Sequence, residues 1–182
     1  MLATCMRVGL VAGSILIVAA PGGGATQTAE RSKPASIAIP PAGEPGVALT
    51  VEGRVLLKDG APAGGVDVYV YQTDAKGLYS PSGQDERNPR LKGYLRTDDQ
   101  GRYQVRTIRP GPYPNSGPPA HIHYEVTSPS GVQRFELVFE GDARMTDAIR
   151  REAAAHGEYT LCKPAVEAAG AQACRGADLY LK

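Results

Sequence analysis

Apolar and polar residues alternate in a series of short segments from residue 47 onward. Valine and tyrosine are concentrated in these segments, and β-branched and aromatic residues favour strands. Turn-forming sequences such as Lys58-Asp59-Gly60 separate them. The predicted strands are residues 47–56, 66–71, 102–108, 121–127, 133–140 and 177–181. Short strands at modest spacing with turns between them predict an all-β fold of the β-sandwich type.

Two segments depart from this pattern. Residues 143–156 form the one good helical stretch, which Gly157 ends, so the sequence predicts a short C-terminal helix. Residues 74–101 are rich in Gly, Pro, Asp, Asn and Ser and predict a long excursion with little regular structure. A loop of that length in a compact domain is often functional.

The first residues have the pattern of a secretory signal peptide, predicted over residues 1–25. A lone positive charge at Arg7 precedes an apolar run over residues 8–20, which Pro21 and a run of glycines end. The alternative is an uncleaved membrane anchor, although the apolar run is short for a bilayer. Residues 26–46 predict a flexible linker and residues 47–182 the folded domain. We therefore expect an exported protein, periplasmic or extracellular, with no membrane segment after cleavage.

Composition and cysteine placement bear on three possibilities: nucleic-acid binding, a disulfide and a thiolate metal site. The formal net charge is +1, and no basic stripe indicates nucleic-acid binding. Cys5 falls in the signal region, which leaves Cys162 and Cys174 as a pair. An even cysteine count in an exported chain predicts a disulfide, worth about 3 kcal/mol in the chain-entropy model. A thiolate metal site is the alternative, but neither cysteine has a nearby histidine or a partner at the usual spacing.

Candidate metal chemistry centres on His121-Ile122-His123, which holds two of the chain's 3 histidines. If this run is a strand, both imidazoles lie on one face. Tyr113, between two prolines, lies just upstream, whereas His156 at the helix end is a weaker candidate. Imidazole suits iron, zinc, copper and nickel. A half-exposed polar sheet face would explain the same alternation without a metal.

Tyrosine is the abundant further donor, with 9 copies and no tryptophan. A phenol ordinarily titrates near pH ~10, so only a strongly Lewis-acidic cation binds it as phenolate at neutral pH. Ferric iron meets that demand best among common metals. Copper or zinc would be the alternative, but softer sites favour sulfur and imidazole.

Several runs of residues resemble the intradiol ring-cleavage dioxygenases, the family of the catechol and protocatechuate 3,4-dioxygenases. The matching runs are residues 53–56, 74–79, 97–103, 106–114, 119–123 and 139–142. They occur in the family's order and at compatible spacing. The resemblance covers most of the mature domain, and it implies the β-sandwich fold of the family.

The resemblance implies that Tyr79, Tyr113, His121 and His123 bind one non-haem Fe(III). It also implies the reaction: a catechol-type diol binds as a dianion, and O2 attacks it directly. The ring then opens between the two hydroxyl-bearing carbons to give a muconate-type diacid. Tyr113 is implied to be the catalytic tyrosine that leaves the metal and accepts a substrate proton.

The sequence also departs from the family pattern. Pro118 stands where familiar members carry an arginine, whose role is to stabilise charge that develops on the ring. Arg106 and Arg109 are candidate substitutes, and Glu136 stands where a family glutamine is usual. Asp142 is a candidate for a residue that orients one of the metal ligands without binding the metal itself. A non-catalytic binding module, similar to transthyretin or to collagen-binding repeats, would share the architecture without the iron, because fold alone does not fix function.

Overall fold

A computed structural model describes residues 33–83 and 85–182. The predicted signal peptide and the first part of the predicted linker lie outside the described residues. Two β-sheets enclose the core, which confirms the all-β sandwich. Among the described residues, no helix has the length and apolar character needed to cross a bilayer.

The strands fall into one sheet of six and one sheet of five. The first sheet has the order β1-β5-β2-β10-β9, with β11 also paired to β2, and the second has the order β4-β3-β6-β7-β8. The strands are β1 (Ser36–Ala38), β2 (Ala48–Leu56), β3 (Asp67–Gln72), β4 (Leu91–Arg96), β5 (Arg102–Ile108), β6 (His121–Ser128), β7 (Gly131–Phe139), β8 (Tyr159–Cys162), β9 (Ala165–Val166), β10 (Gln172–Arg175) and β11 (Leu179–Tyr180). The helix α1 spans Asp147–Ala154, and a 3₁₀ turn spans Ala168–Gly170.

Strand β6 shows how the alternating pattern builds both core and site. Ile122, Tyr124 and Val126 are fully buried between the sheets. Since side chains alternate along a strand, His121 and His123 lie on the opposite face of the five-stranded sheet. The outer face of this sheet therefore carries the histidine pair, and the inner face carries the core.

The predicted excursion over residues 74–101 is wrong in one part, because it contains strand β4 (Leu91–Arg96). This strand pairs antiparallel with β3 along its whole length. Leu91 and Leu95 are buried, whereas Lys92 and Arg96 are exposed. The prediction missed β4 because a glycine and two basic residues dilute its apolar signal.

Part of the predicted linker over residues 26–46 belongs to the first sheet. Residues 36–38 form β1, which pairs parallel with β5 at the edge of the first sheet. Ile37 packs against the core, so this short segment adds apolar burial that its composition alone does not indicate.

The helix is shorter than predicted. Thr146 caps it, since its side-chain oxygen accepts a hydrogen bond from the Ile149 amide. Residues 143–145 lie in turns before the cap, where the Met145 amide donates to the Asp142 carbonyl. His156 lies beyond the helix at φ +53°.

A disulfide joins Cys162 to Cys174, with their Cα atoms 5.5 Å apart. Cys162 ends β8 in the five-stranded sheet, whereas Cys174 lies in β10 of the other sheet. Both cysteines are buried. The bond therefore links the two sheets covalently across the core.

Buried Gln72 makes a second, polar link between the sheets, at the end of β3. Its side-chain NH2 donates to the carbonyl of Ile108 at 3.0 Å, and its side-chain oxygen accepts from the Thr107 hydroxyl at 2.8 Å. Both partners belong to β5 in the opposite sheet. These bonds fix the ends of β3 and β5, from which the two tyrosine-bearing loops depart.

Candidate metal centre

Four side chains meet at one point on the outer face of the five-stranded sheet. Tyr79 lies in the loop after β3, Tyr113 lies in the loop after β5, and His121 and His123 begin β6. The Tyr79 hydroxyl is 2.6 Å from the Tyr113 hydroxyl and 2.9 Å from His123 Nε2. His121 Nε2 is 2.9 Å from His123 Nε2 and 3.3 Å from the Tyr113 hydroxyl. The structure thus brings together all four residues singled out in the sequence.

The two tyrosine loops are held together through their backbones. The Gly111 amide donates to the Asp74 carbonyl at 2.8 Å. Gly77 has φ +81°, and a Cβ atom there would collide with the Pro112 carbonyl. Glycine is therefore required at position 77 for two reasons, its backbone conformation and the close approach of the neighbouring loop. This contact sets the separation of Tyr79 and Tyr113.

Asp74 shapes the turn that leads to Tyr79. Its carboxylate accepts hydrogen bonds from the amides of Lys76 and Leu78 at 2.9 and 3.0 Å. This is the pattern of an Asx turn, in which the side chain takes over backbone hydrogen bonding. A run of residues with little regular structure thereby presents Tyr79 in a defined position, with only 3% of its surface exposed.

The histidines are oriented so that their Nε2 atoms face the tyrosines. His121 Nδ1 donates to the Pro119 carbonyl at 2.7 Å, which leaves the Nε2 lone pair free to bind a metal. His123 stacks on Tyr71 with ring centroids 4.4 Å apart. Its Nδ1 lies 4.0 Å from the Glu136 carboxylate.

Burial controls the charge of these groups. It raises the pKa of Tyr79 above that of an ordinary phenol, and the hydrogen bond with Tyr113 adds to the shift. Burial raises the pKa of Tyr113 as well. Burial lowers the pKa of His123 to about 3, with smaller effects from the charges of His121 and Arg134. At neutral pH His123 is therefore a neutral imidazole and a competent ligand, and the tyrosines are phenols.

The four donors fit a metal ion of the expected kind. Donors each ~2.1 Å from a shared ion lie about 3.0–3.4 Å apart at octahedral to tetrahedral angles. Of the four separations given above, the one from His121 Nε2 to the Tyr113 hydroxyl, 3.3 Å, lies in this range. The other three, 2.6 to 2.9 Å, are shorter by a few tenths of an ångström at most, so small movements would place the donors around one ion. Two imidazoles and two phenols, whose ionisation needs a strong Lewis acid, are the donor set expected for ferric iron.

Two residues beside the histidines escaped the sequence analysis. Tyr71 donates from its hydroxyl to Glu86 Oε1 at 3.0 Å, and the same carboxylate oxygen lies 3.8 Å from His123 Nε2. The alternation Tyr69-Val70-Tyr71 predicts which face of β3 carries Tyr71, but it does not predict that Tyr71 lies beside His123. Glu86 lies in a loop without a pattern of its own. His121, His123 and Glu136 also form a group whose ligand atoms all lie within 4.8 Å of one another.

The candidate substitute arginines lie elsewhere. Arg106 is exposed, and Arg109 places its guanidinium 3.6 Å from the Phe139 ring centroid and donates to Gln172. Pro118 is half-buried at the entry to β6. Asp142 contacts the backbone next to a metal-ligand candidate: its carboxylate accepts a hydrogen bond from the amide of Ala120, the residue directly before His121.

Comparisons with known proteins place the chain among dioxygenases. A family model described as "Dioxygenase" matches residues 25–181. Chlorocatechol 1,2-dioxygenase of Pseudomonas sp. (strain P51) is 35% identical over 94 residues, which cover 43% of this chain and 38% of that protein. The protocatechuate 3,4-dioxygenase beta chain of Burkholderia cepacia is 34% identical over 113 residues, 55% of this chain and 48% of the other. The matched region is thus less than half the length of either relative.

Solved structures show the same fold. One is the dioxygenase domain of a dioxygenase carbohydrate-binding protein fusion from the cellulolytic bacterium Streptomyces sp. SirexAA-E. It superposes with a TM-score of 0.61 and 26% identity over 84% of this chain and 91% of that one. Catechol 1,2-dioxygenase from Acinetobacter sp. ADP1 gives a TM-score of 0.59 and 21% identity, over 83% and 59% of the two chains. The family match spans most of the sequence, so this chain belongs to the intradiol ring-cleavage dioxygenase family.

Proposed function

We propose that this protein is a non-haem Fe(III)-dependent intradiol dioxygenase that cleaves catechol-type aromatic rings with O2 to muconate-type diacids. The observation that carries the proposal is the convergence of Tyr79, Tyr113, His121 and His123 on one point. Family membership supports the reaction class. A non-catalytic binding module has no need to bring these four donors together.

The metal would be held by the two phenolate oxygens and the two Nε2 atoms. When bound, ferric iron would supply the Lewis acidity that ionises the phenols and activates a bound catecholate toward O2. His121 is oriented for this role by its bond to the Pro119 carbonyl, and His123 by its stacking on Tyr71. These contacts hold the ligands in place before substrate arrives.

Tyr113 is the tyrosine that we propose as proton acceptor. It is half-buried, whereas Tyr79 is almost fully buried. Both tyrosines line a cavity of about 330 Å³, together with Pro114 and Asn115. Because Tyr113 is the less buried of the two, its hydroxyl is the one that we propose to move and to take a proton from an incoming catechol hydroxyl. Both atoms of O2 would enter the product as the bond between the hydroxyl-bearing carbons breaks, so no external reductant is consumed.

We also propose that the protein is exported and that a small aromatic diol is its partner. The charge pattern at residues 1–25 and the disulfide between Cys162 and Cys174 both support an oxidising compartment. The substrate would then be an extracellular or periplasmic aromatic compound.

Iron loading tests the proposal. Protein loaded with iron is expected to be red-brown from charge transfer between phenolate and Fe(III), and to consume O2 with a catechol while forming a ring-opened diacid. Tyr113→Phe and Tyr79→Phe are each expected to change that colour. Tyr180→Phe is the matched control, because Tyr180 stacks on His156 away from the centre. A colourless protein without bound iron by elemental analysis, or extradiol products alone, would contradict the proposal.

A further inference from the structure

A groove of about 500 Å³ opens directly beside His123 on the outer face of the five-stranded sheet. Its floor follows from strand register, since Tyr71 pairs with His123 and His123 pairs with Glu136 across three strands. Tyr69 and Glu125 form the next row. The groove is therefore a continuation of the sheet face that carries the histidine ligands.

Glu86 connects this groove with the candidate metal centre. It lines the groove together with Tyr71, and it also lines the smaller cavity beside Tyr79 and Tyr113. The two cavities thus share the Glu86 side chain, which is where a ring held at the tyrosines would direct a substituent toward the groove.

We propose that the groove receives a second, uncharged aromatic ring attached to the catechol that the centre cleaves. This inference rests on the proposed function and names the substrate class of the same site. A cavity of about 150 Å³ is enough for benzene, whereas the groove alone falls within the roughly 300–1,000 Å³ of pockets that hold drug-sized ligands. A single catechol ring would leave the groove empty.

The tyrosine row determines how a second ring would bind. Tyr94, Tyr69 and Tyr71 stack in sequence, with centroid separations of 4.6 and 5.1 Å, and Tyr71 stacks in turn on His123. The faces of Tyr69 and Tyr71 are therefore covered by their neighbours, and their edges and hydroxyls meet the groove. Ring edges carry positive partial charge and pack well against the face of another aromatic ring.

Charge in the groove selects against a carboxylate substituent. Glu86, Glu136 and Glu158 line it, while its two arginines are already paired. Arg87 bonds Asp85 at 3.2 Å and Arg134 bonds Glu125 at 2.9 Å. The groove lining carries four carboxylates and two guanidinium groups, so an anionic substituent would meet an excess of negative charge, and like charges brought together lower affinity.

The test compares kcat/KM for O2 uptake by iron-loaded protein with catechol, 4-phenylcatechol and protocatechuate. We expect 4-phenylcatechol to exceed catechol about tenfold, given that an aromatic pair contributes ~0.5–1.5 kcal/mol beyond its burial. Protocatechuate should fall below catechol. A preference for catechol over 4-phenylcatechol, or for protocatechuate over both, would overturn the inference while leaving the proposed function standing.

Two variants locate the effect in the groove. Tyr69→Ala is expected to bring the ratio of 4-phenylcatechol to catechol down toward unity, and Glu86→Gln to raise the ratio of protocatechuate to catechol. Tyr94→Ala is the control, because Tyr94 belongs to the same row but lies outside the groove lining. Unchanged ratios in both variants would refute the assignment.

Calorimetry separates failure of the groove from failure of the enzyme. The binding of phenol and 4-phenylphenol to iron-loaded protein needs no turnover. If no catechol is cleaved but 4-phenylphenol binds about tenfold tighter than phenol, and Tyr69→Ala removes the difference, the proposed function fails and the groove stands. Equal affinities for the two phenols would overturn the inference that the groove receives a second aromatic ring.

Discussion

The close approach of Gly77 to Pro112 gives the sharpest test of how the two tyrosines are positioned. In Gly77→Ala, the new Cβ atom would collide with the Pro112 carbonyl, and the backbone at φ +81° would disfavour any side chain. Because the carbonyl belongs to the loop that carries Tyr113, the collision can be relieved only by moving one tyrosine loop away from the other.

Gly60→Ala is a matched control for the backbone effect. Gly60 has φ +84°, nearly the same as Gly77, but a Cβ atom there has nothing within 4 Å. A left-handed conformation costs an alanine about 1–2 kcal/mol, partly offset by about 0.4–1 kcal/mol from the lower entropy of the unfolded chain. The control should therefore lose about 1 kcal/mol of unfolding free energy.

Gly77→Ala should lose more, because the same backbone cost is joined by a forced shift of packed structure. Such shifts cost about 1–3 kcal/mol, so the expected total is about 2–4 kcal/mol. The function should suffer further, since a displacement of about 1 Å at a reaction centre can cost on the order of 10²-fold in rate.

Urea unfolding of the two variants, with iron loading followed by absorbance and elemental analysis, tests these values. The expected result is weakened iron binding and an altered charge-transfer band in Gly77→Ala, with Gly60→Ala unchanged in both. If Gly77→Ala unfolds like Gly60→Ala and binds iron like the unmodified protein, the loop contact does not position the tyrosines.

Two further predictions concern stability. The double variant Cys162→Ser with Cys174→Ser should lose about 3 kcal/mol of unfolding free energy, measured by urea unfolding. Unmodified protein in reductant should unfold at the same urea concentration as the variant. An unshifted midpoint would show that the bond adds no stability. Arg90 donates to Glu44 at 2.6 and 2.7 Å, and this bond lowers the pKa of the Glu44 carboxyl. A carboxyl with a lowered folded-state pKa adds stability above its unfolded pKa of ~4.3 and loses it as pH falls. The Glu44 side chain is only 7% exposed, so Glu44→Gln should cost about 1–3 kcal/mol at pH ~7, as for a hydrogen bond to a charged group. Thermal unfolding should show the difference shrinking below pH ~4, and a difference constant with pH would contradict this.

The long strands could be predicted from sequence because their signal is local. β2, β3, β5, β6 and β7 alternate over six or more residues, and the inward positions are the buried ones. Most of the short strands could not, although β11 lies within the strand predicted at residues 177–181. β1 and β9 have three and two residues, and they exist because a neighbouring strand offers free hydrogen-bonding groups at the edge of the sheet.

The residues of the candidate centre differ in how well the sequence predicts their positions. The alternation in His121-Ile122-His123 places both imidazoles on one face, whatever the rest of the chain does. No local pattern brings Tyr79 to Tyr113, which meet through a contact between two loops, and only the family resemblance paired them. The proximity of Glu86 depends on how a loop crosses the sheet, which no residue near position 86 encodes.

Strand β2 also has a consequence for the order in which the chain folds. One edge pairs with β5, but the other is covered by β10 and β11, which run parallel to it. That second edge stays open until residues 172–180 pair with β2. An open edge is a template for pairing with other chains, and distant parallel pairings form slowly. A chain in which these strands have not yet paired would therefore be prone to associate with other chains through the open edge of β2.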